Sequence, residues 1–444
     1  MAGTELVRTK YLIVGNSAGG IGAAEAIREV DKMGSITIIS DEPYPTYSRP
    51  LISKYLTKER SLDGILFRPL GFYSRNNITF LLGRRVRHLD LESHTAELEN
   101  GEGIAWEKLL LATGGKPIVP RIQGVDKRGV FTFTTFDDAR AIDEFLDSVD
   151  EAVVIGGGLI GISVTEALVK RGIEVTVVEM KQRILNTILD EQASLIEEEI
   201  LRQAEVRIIG GHTVSEVVGK GSVEGVVLDN GERIPCNLVI LAIGVMPRKE
   251  LAEGSGIRMN RGIVVDSHMA TSHPDVYSCG DVAEAYDFVY GTNRLIPIWP
   301  NAYIGGRTAG YNMAGARAEY PGSTAMNSLS YFGLDISAAG IAIPPDDGYE
   351  VISKQKDGVY HRLVLKDDLI VGVVFVEEIE KSGLVLSLMR ERVNVGSFKQ
   401  ALLADDFDLA ALPRELWQER LEIPPGLVPL PVVPEEEIEE LAGE

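Results

Sequence analysis

The sequence predicts an α/β protein with two Rossmann-like dinucleotide-binding domains and a smaller α+β domain toward its C-terminal end. Two glycine-rich turns, which begin at Gly15 and Gly156, each lie between an apolar strand and a helix. In each copy a second strand ends in an acidic residue about 20 residues later, as in a dinucleotide-binding βαβ unit. The chain has 444 residues, more than one hydrophobic core normally organises. One such motif is common, but two complete copies indicate that the chain binds two dinucleotides.

The first copy is KYLIVGNSAGGIGAAEAIREV, which starts with an apolar strand and continues into an alanine-rich helix. Its glycines include Gly15 and Gly20, and Ser17 stands where the second glycine of G-x-G-x-x-G would stand. A turn of this kind directs backbone N–H groups and a helix N-terminus at a pyrophosphate. The next strand, SITIIS, ends in Asp41 and Glu42, which are placed for a ribose hydroxyl.

The second copy, EAVVIGGGLIGISVTEALVKRGIEVTVVEM, has the complete motif at Gly156, Gly158 and Gly161. Its second strand ends in Glu179, whose carboxylate accepts hydrogen bonds from a 2′-hydroxyl and repels a 2′-phosphate. This acid favours NADH over NADPH. The basic residues of the following KQR weaken that preference.

Three further segments are expected to be strands that end in turns. LLLATGG and LVILAIG each close a segment, the second at Gly244. The third, DVYSCGD, ends in Gly280 and Asp281. An aspartate at this point can bind a ribityl hydroxyl, and the helix that follows directs its N-terminus at a phosphate.

Charge and cysteine content exclude several classes of protein. The net charge of −22 argues against nucleic acid and against an anionic membrane as partners, because both would be repelled. The two cysteines, Cys236 and Cys279, match no disulfide framework and no metal site, and they are expected to be small buried residues. The N-terminal residues lack a secretory signal, and no apolar run is long enough to insert into a membrane, so a cytoplasmic location is expected.

These motifs, in this order, resemble the flavoprotein family with two dinucleotide-binding domains of glutathione-reductase type. The segment YSRPLISK narrows the resemblance to rubredoxin, ferredoxin and putidaredoxin reductases, the reductase region of NADH-dependent nitrite reductase, and apoptosis-inducing factor. The resemblance covers about residues 10–410 and implies that FAD lies on the first glycine turn and NADH (NAD) on the second.

The family's cofactor contacts can be carried over to the matching positions of this chain. For FAD they are Gly15, Ser17, Gly20, Asp41, Glu42, Arg49, Lys54, Val86, Ala112, Thr113, Gly114, Gly280, Asp281, Ile298 and Trp299. For NAD they are Gly156, Gly158, Leu159, Ile160, Gly161, Glu179 and Gly244.

The resemblance also implies the layout of the domains. The FAD-binding domain is discontinuous and comprises residues 1–117 and 244–320, with the NAD-binding domain, residues 118–243, inserted between its two parts. Residues 321–421 form an α+β interface domain, which in relatives packs near the flavin or across a dimer, so a homodimer or a larger complex is expected. Residues 422–444 form an acidic, proline-rich tail.

The loop PTYSRPLISK contains no cysteine, whereas the disulfide-using branches of the family carry a redox thiol in this region. Electrons are therefore expected to leave from the flavin itself, one at a time, to an iron–sulfur acceptor. The acceptor would be a ferredoxin, a rubredoxin or an iron–sulfur subunit of a larger complex. The alternatives are an NADH-responsive binding or sensor protein with little turnover, and an NADH oxidase that uses O₂.

Two residues of this loop are given roles by the resemblance. Lys54 would place a cation near the flavin and act in catalysis, and Arg49 would hold the cofactor's phosphates. Relatives pair the lysine with a glutamate, but the aligned residue here is Ser163. We therefore expect a neutral partner for Lys54 and a flavin that is easier to reduce.

Two expectations concern surfaces. Residues 68–89 contain RPLGFYSRNN and LLGRRVRHL, which offer a basic patch on which an acidic acceptor could dock. The segment DEQASLIEEEILRQAEV alternates acids with leucine and isoleucine, which is typical of a solvated helix that covers a sheet.

Overall fold

The structure is a computed structural model that describes residues 6–404, 407, 412, 413 and 416. The predicted tail, residues 422–444, lies outside the described residues. The helices and strands fall into four consecutive segments of the chain.

The first segment contains β1 (Val7–Val14), α1 (Ala18–Val30), β2 (Ile36–Ser40), α2 (Ile52–Leu56), α3 (Phe72–Arg75), β3 (Ile78–Leu82), β4 (Val86–Asp90), β5 (Thr95–Leu98), β6 (Gly103–Leu111) and β7 (Gly115–Pro117). The second contains β8 (Val130–Thr132), α4 (Phe136–Phe145), β9 (Glu151–Ile155), α5 (Leu159–Lys170), β10 (Glu174–Glu179), α6 (Glu191–Gln203), β11 (Arg207–Gly210), β12 (Val214–Val218), β13 (Gly225–Leu228), β14 (Arg233–Pro235) and β15 (Leu238–Leu241).

The third segment contains β16 (Val245–Pro247), β17 (Ile263–Val264), β18 (Val276–Ser278), β19 (Ala283–Asp287), β20 (Thr292–Leu295) and α7 (Trp299–Met313). The fourth contains β21 (Met326–Tyr331), β22 (Leu334–Gly340), β23 (Glu350–Lys356), β24 (Val359–Lys366), β25 (Leu369–Val376) and α8 (Ser382–Arg390).

The first sheet has the order β3-β2-β1-β6-β5-β4, and a seventh strand, β18, also pairs with β6. β1 is parallel to both β2 and β6, and its apolar side chains from Tyr11 to Val14 are buried. Tyr11 and Ile13 pack with residues of α1 and α7, and Leu12 and Val14 pack with residues of β4 and β5. Strand β18 is parallel to β6, with Val276 opposite Leu109. The third segment of the chain therefore returns to the sheet that the first segment began.

The second sheet has the order β11-β10-β9-β15-β8, and all of its pairs are parallel. Helices α5 and α6 follow β9 and β10, as the predicted βαβ pattern requires. A small antiparallel sheet of β12, β13 and β14 packs against it through valines and isoleucines. This arrangement is the dinucleotide-binding fold that the second glycine motif predicts, and the first sheet repeats it around the first motif.

The fourth segment forms an antiparallel sheet of order β21-β22-β25-β24-β23. One face packs on the second domain through residues such as Ile336 and Val374, and the other face is covered by α8. Asp190, at the start of α6, accepts a hydrogen bond from Tyr360 Oη at 2.7 Å and lies 3.3 Å from Arg362 Nη1. The C-terminal domain is thus held on the second domain by a buried polar contact as well as by apolar packing.

Helix α6 is less exposed than its sequence suggests. Glu199 is exposed, but Glu197 is fully buried and Glu198 is only 4% exposed. The expectation of a solvated helix is therefore wrong for its inner face, which meets the core of the second domain. Among the described residues, no helix combines the length and the apolarity needed to cross a bilayer.

Candidate dinucleotide site

A cavity of about 1500 Å³ opens at the carboxyl ends of β1 and β9, where both glycine turns meet. Ligand pockets usually have volumes of about 300–1,000 Å³, so this space is large enough for more than one small ligand. Its wall contains most of the predicted contacts: Gly15, Ser17, Asp41, Glu42, Arg49, Val86, Ala112, Thr113, Gly114, Gly156, Gly158, Leu159, Ile160, Glu179, Gly244, Gly280, Asp281, Ile298 and Trp299.

The first glycine turn brings the backbone close to β6. Gly15 has φ +126°, and a Cβ atom there would lie 2.1 Å from the carbonyl oxygen of Ala112. A Cβ atom on Gly20 would lie 1.9 Å from the carbonyl oxygen of Gly15. Gly20 is not on the cavity wall, so its absent side chain serves the packing of α1 on the turn. The N-terminus of α1, capped at Ser17, faces the cavity.

The second turn repeats this geometry. Gly156 has φ +108° and lies against Ala242, and a Cβ atom on Gly161 would be 1.9 Å from the carbonyl oxygen of Gly156. Gly161 is also away from the wall and serves packing. A Cβ atom on Gly158 would meet nothing within 4 Å, which leaves open space at the N-terminus of α5. Such a cradle fits a pyrophosphate.

The acid at the end of β10 is already oriented by its own turn. The Glu179 carboxylate accepts hydrogen bonds from Gly157 N at 2.7 Å and from Lys181 N at 2.8 Å. A carboxylate offers about four acceptor positions, so ribose hydroxyls can still be accepted. Lys181 also lines the cavity.

The acids after β2 have cationic partners that the sequence did not indicate. Asp41 lies 2.9 Å from Arg248, and Glu42 pairs with Arg49 and accepts a hydrogen bond from Tyr47 Oη at 2.5 Å. Arg248 follows β16, more than 200 residues away in the chain. These contacts hold the acidic loop against the rest of the wall. A bound ribose would share the two carboxylates with these partners.

The far wall is formed by the segment that follows β18. Gly280 has φ +74°, and burial raises the pKa of Asp281, an effect that the nearby Arg49 guanidinium opposes. Ile298 caps the N-terminus of α7, and Trp299 begins the helix and packs edge-to-face on Phe67 at 5.2 Å. The N-terminus of α7 thus faces the same space as the N-termini of α1 and α5.

Lys54 does not take the position that the resemblance implies. It is absent from the cavity wall, and its Nζ lies 3.2 Å from Glu59 Oε2. Helix α2 ends at Leu56, and the following loop brings Glu59 back to the lysine. Ser163 does line the cavity, where its hydrogen-bond partner is Tyr331. The expectation that Lys54 has a neutral partner is therefore wrong.

Neither thiol has the environment of a redox cysteine. Cys279 reaches the cavity wall, but it is fully buried, and this burial raises the pKa of its thiol to about 12. Burial likewise raises the pKa of Cys236 to about 12. Both thiols are free and protonated at neutral pH, as the sequence predicted for small buried residues. Within the described ranges, no cluster of His, Cys, Asp and Glu could hold a metal ion.

The predicted basic patch is largely neutralised by acids of neighbouring elements. Arg68 pairs with Glu25 at 2.6 Å, and Arg85 and Arg87 lie 3.7 Å and 3.9 Å from acids of the adjacent chain segment. Arg84 lines the cavity instead of the outer surface. These acids lower the net positive charge that the patch offers to an acidic acceptor.

Strand β21 was missed as part of the site. Its residues from Met326 to Leu329, and Tyr331, line the cavity. No local motif marks them, because they reach the site only when the C-terminal domain packs on α5.

Comparisons with known proteins agree with this geometry. A sequence model of the pyridine nucleotide-disulphide oxidoreductase family matches residues 9–306. The chain is 31% identical over 416 residues to the NADH-dependent phenylglyoxylate dehydrogenase subunit epsilon of Aromatoleum evansii, covering 93% of this chain and 98% of that one.

Two further proteins are similar over most of this chain. The assimilatory nitrate reductase electron transfer subunit of Bacillus subtilis is 31% identical over 87% of this chain, which spans 50% of that relative's length. The crystal structure of NADH:rubredoxin oxidoreductase from Clostridium acetobutylicum superposes with a TM-score of 0.75 at 26% identity, covering 91% of this chain and 98% of the other.

Proposed function

The chain belongs to the pyridine nucleotide-disulphide oxidoreductase family, and on this basis we propose that it passes electrons from NADH through FAD to a one-electron iron–sulfur acceptor. It is an FAD-dependent NADH oxidoreductase of the ferredoxin- and rubredoxin-reductase type. When bound, FAD accepts two electrons together from NADH and can release them one at a time.

FAD is assigned to the first glycine turn and NADH to the second. In this assignment the N-termini of α1 and α7 would hold the FAD phosphates, and Asp281 would bind a ribityl hydroxyl. The N-terminus of α5 would hold the NADH pyrophosphate, and Glu179 would accept hydrogen bonds from the hydroxyls of the adenosine ribose. The discontinuous first domain, residues 1–117 and 244–320, is supported by the return of β18 to β6. Both cofactors then share one cavity, as direct transfer between them requires.

One observation carries the choice of a one-electron acceptor. The cavity joins both nucleotide turns, yet its wall holds a single thiol, Cys279, which is buried and protonated. Reduction of a disulfide substrate through a cysteine pair would need a thiolate at this wall, and the described residues provide none. Electrons leaving without a sulfur intermediate suit an iron–sulfur centre.

The finer identity of the acceptor is supported by the similar proteins. One is a subunit of an NADH-dependent dehydrogenase, one is an electron transfer subunit, and one is named for rubredoxin. The full-length match to the dehydrogenase subunit favours an iron–sulfur subunit of a larger complex over a free carrier. A cytoplasmic location, where NADH is available, is part of the same proposal.

Anaerobic stopped-flow mixing tests the proposal. The FAD-loaded protein should lose its flavin absorbance on mixing with NADH and regain it on mixing with oxidised rubredoxin or ferredoxin. Cys279→Ala should behave like the wild type, because no thiol takes part. A reduced flavin that is stable against every iron–sulfur acceptor would contradict the proposal and favour a sensor, whereas reoxidation by O₂ alone would favour an oxidase.

A further inference from the structure

Two carboxylic acids lie buried behind the cavity wall, Glu166 on α5 and Glu197 on α6. Glu166 is 6% exposed and has partners, since its Oε1 lies 3.1 Å from Lys170 Nζ and 3.1 Å from Phe332 N. Glu197 is 0% exposed, and neither of its carboxyl oxygens has a hydrogen-bond partner among the described residues. An ionised carboxylate in such surroundings is strongly disfavoured.

Glu197 therefore holds a proton in the folded protein. Burial is the main cause, and the negative charge of Glu166 adds to it; together they raise the pKa of Glu197 to about 8. A carboxyl group with this pKa is mostly neutral at pH 7. It can release its proton when the charge near it changes modestly.

Tyr331 connects this pair to the cavity. Its side chain lines the cavity, its hydroxyl lies 3.4 Å from the carbonyl oxygen of Leu159, and it hydrogen-bonds with Ser163. Burial first, and then the charges of Glu197 and Glu166, raise the pKa of the Tyr331 hydroxyl, which stays neutral and can both donate and accept a hydrogen bond. Ser163 and Glu166 are three residues apart on α5 and thus share one face of the helix.

The turn between β21 and β22 fixes this arrangement. Phe332 and Gly333 both have positive φ, as in a tight hairpin turn, and the Phe332 N–H donates to Glu166. The tip of the C-terminal sheet thereby holds Tyr331 between the cavity and the carboxyl pair.

A series of ion pairs links Glu166 to the surface. Lys170 is 40% exposed, and its Nζ lies 3.1 Å from Glu166 and 3.1 Å from Glu59, which in turn pairs with Lys54. The other titratable groups on α6 and β24 have partners of their own. They include Glu198 with Arg202, Glu191 with Arg183, Glu199 with Gln203, His361 with the carbonyl oxygen of Glu377, and Asp190 with Tyr360 and Arg362.

We propose that Glu197, Glu166 and Tyr331 form a proton-binding site whose occupancy is linked to the electrons held in the cavity. The idea rests on the proposed function, whose overall reaction, NADH + 2 A(ox) → NAD⁺ + 2 A(red) + H⁺, leaves one proton for each pair of electrons. Negative charge in the cavity favours the protonated form of Glu197, because Coulomb interactions are strong in a poorly solvated interior. When the electrons leave for the acceptor, the protonated form of Glu197 is favoured less and its proton is released to solvent.

The main test compares the flavin midpoint potential of the FAD-loaded wild type with that of Glu197→Gln from pH 6 to pH 10. We expect an additional inflection near pH 8 in the wild type that is lost in Glu197→Gln and kept in Glu199→Gln, an exposed control on the same helix. Glu166→Gln removes a charge that raises the pKa of Glu197, so its inflection should move to lower pH. Identical pH profiles in the wild type and Glu197→Gln would overturn the proposal.

A second measurement separates this proposal from the proposed function. Infrared spectra of the wild type and of Glu197→Gln, both without flavin, should be compared at pH 7. Their difference should show the carbonyl band of a protonated carboxyl group, present in the wild type and absent from the variant. An ionised Glu197 in this experiment would contradict the inference even if iron–sulfur proteins are reduced. Glu197 could also be protonated and give the expected pH inflection while no iron–sulfur acceptor is reduced. That outcome would support the proton-binding site and refute only the proposed acceptor.

Discussion

At the scale of single residues, acidic side chains of the same type behave differently because of their surroundings. Asp31 accepts hydrogen bonds from Lys10, Tyr11 and two backbone N–H groups, and the contact with Lys10 contributes most to lowering its pKa. Glu197 has no such partner among the described residues, and its pKa is raised to about 8. Nothing in the sequence distinguishes these two acids, because their pKa values differ only through burial and neighbouring groups.

The raised pKa of Glu197 predicts how stability depends on pH. Between about pH 4.5 and pH 8 the folded protein keeps a proton on Glu197 that the unfolded chain releases, so this residue lowers stability as the pH rises through that range. Glu197→Gln should remove this loss. Relative to the wild type, the variant should gain on the order of a few kcal/mol between pH 5 and pH 9 in urea unfolding. If the free energies of unfolding of the two proteins differ by the same amount at pH 5 and at pH 9, Glu197 is not buried as described.

The glycines of the two turns illustrate what single positions reveal in a sequence. Gly15 and Gly156 were predicted because their spacing is characteristic, and both have the positive φ and the close backbone contact that only glycine allows. Lys54 was assigned by its place in a motif alone, and its ion pair with Glu59 depends on how the following loop folds back. Spacing predicts a backbone conformation well, but it does not predict which charge a long side chain will meet.

At the scale of elements, the contact between α1 and α7 decides how the two parts of the first domain fit together. A Cβ atom on Gly306 would lie 2.0 Å from the carbonyl oxygen of Gly19, and one on Gly310 would lie 2.4 Å from that of Ala23. The two helix backbones therefore touch directly. This contact holds two segments that are far apart in the sequence against each other beside the cavity.

Gly310→Ala should force α1 and α7 apart. Overpacking of this kind typically costs about 1–3 kcal/mol, so the urea midpoint should fall. Gly383→Ala is a matched control within helix α8, since a Cβ atom there meets nothing within 4 Å, and alanine favours the helix. Equal stability of Gly310→Ala and the wild type would argue against this helix contact.

Sequence patterns predicted the type of most elements they were applied to. The segments LLLATGG, LVILAIG and DVYSCGD contain the end of β6, the whole of β15 and the whole of β18. Helix α6 was found, but the burial of its inner acids was not foreseen. Hydrophobic periodicity identifies an element and its general orientation, whereas the depth of one side chain depends on what packs over it.

At the scale of the whole molecule, the C-terminal domain completes the site by bringing β21 to the cavity. Its attachment includes the buried contact of Asp190 with Arg362 and Tyr360. Breaking one member of a buried pair leaves the other charge uncompensated and costs about 3–5 kcal/mol. Asp190→Ala should therefore loosen this domain, which hydrogen exchange would detect as faster exchange in β21–β25 than in β1 and β9. Equally slow exchange in all of these strands would show that apolar packing alone holds the domain.

The charge of the whole chain predicts how salt affects the acceptor reaction. With Arg68, Arg85 and Arg87 paired to acids, the net charge of −22 dominates at long range. The rate of reduction of an acidic ferredoxin should rise as salt screens the mutual repulsion. Stopped-flow rates at increasing ionic strength test this, and a neutral acceptor serves as the control. A rate that falls with salt would restore the basic patch as a docking site.

The sequence by itself determined the two nucleotide turns, the acids that end their second strands, and the absence of a cysteine from the loop after the first motif. Each of these is local, because a glycine turn and a strand period depend on neighbouring residues. Only the tertiary structure decided that Lys54 meets Glu59, that Arg248 meets Asp41, and that Tyr331 stands between the cavity and Glu197. Those pairings depend on the packing of domains, and a carboxyl group's pKa follows from the water and the charges that this packing removes or brings near.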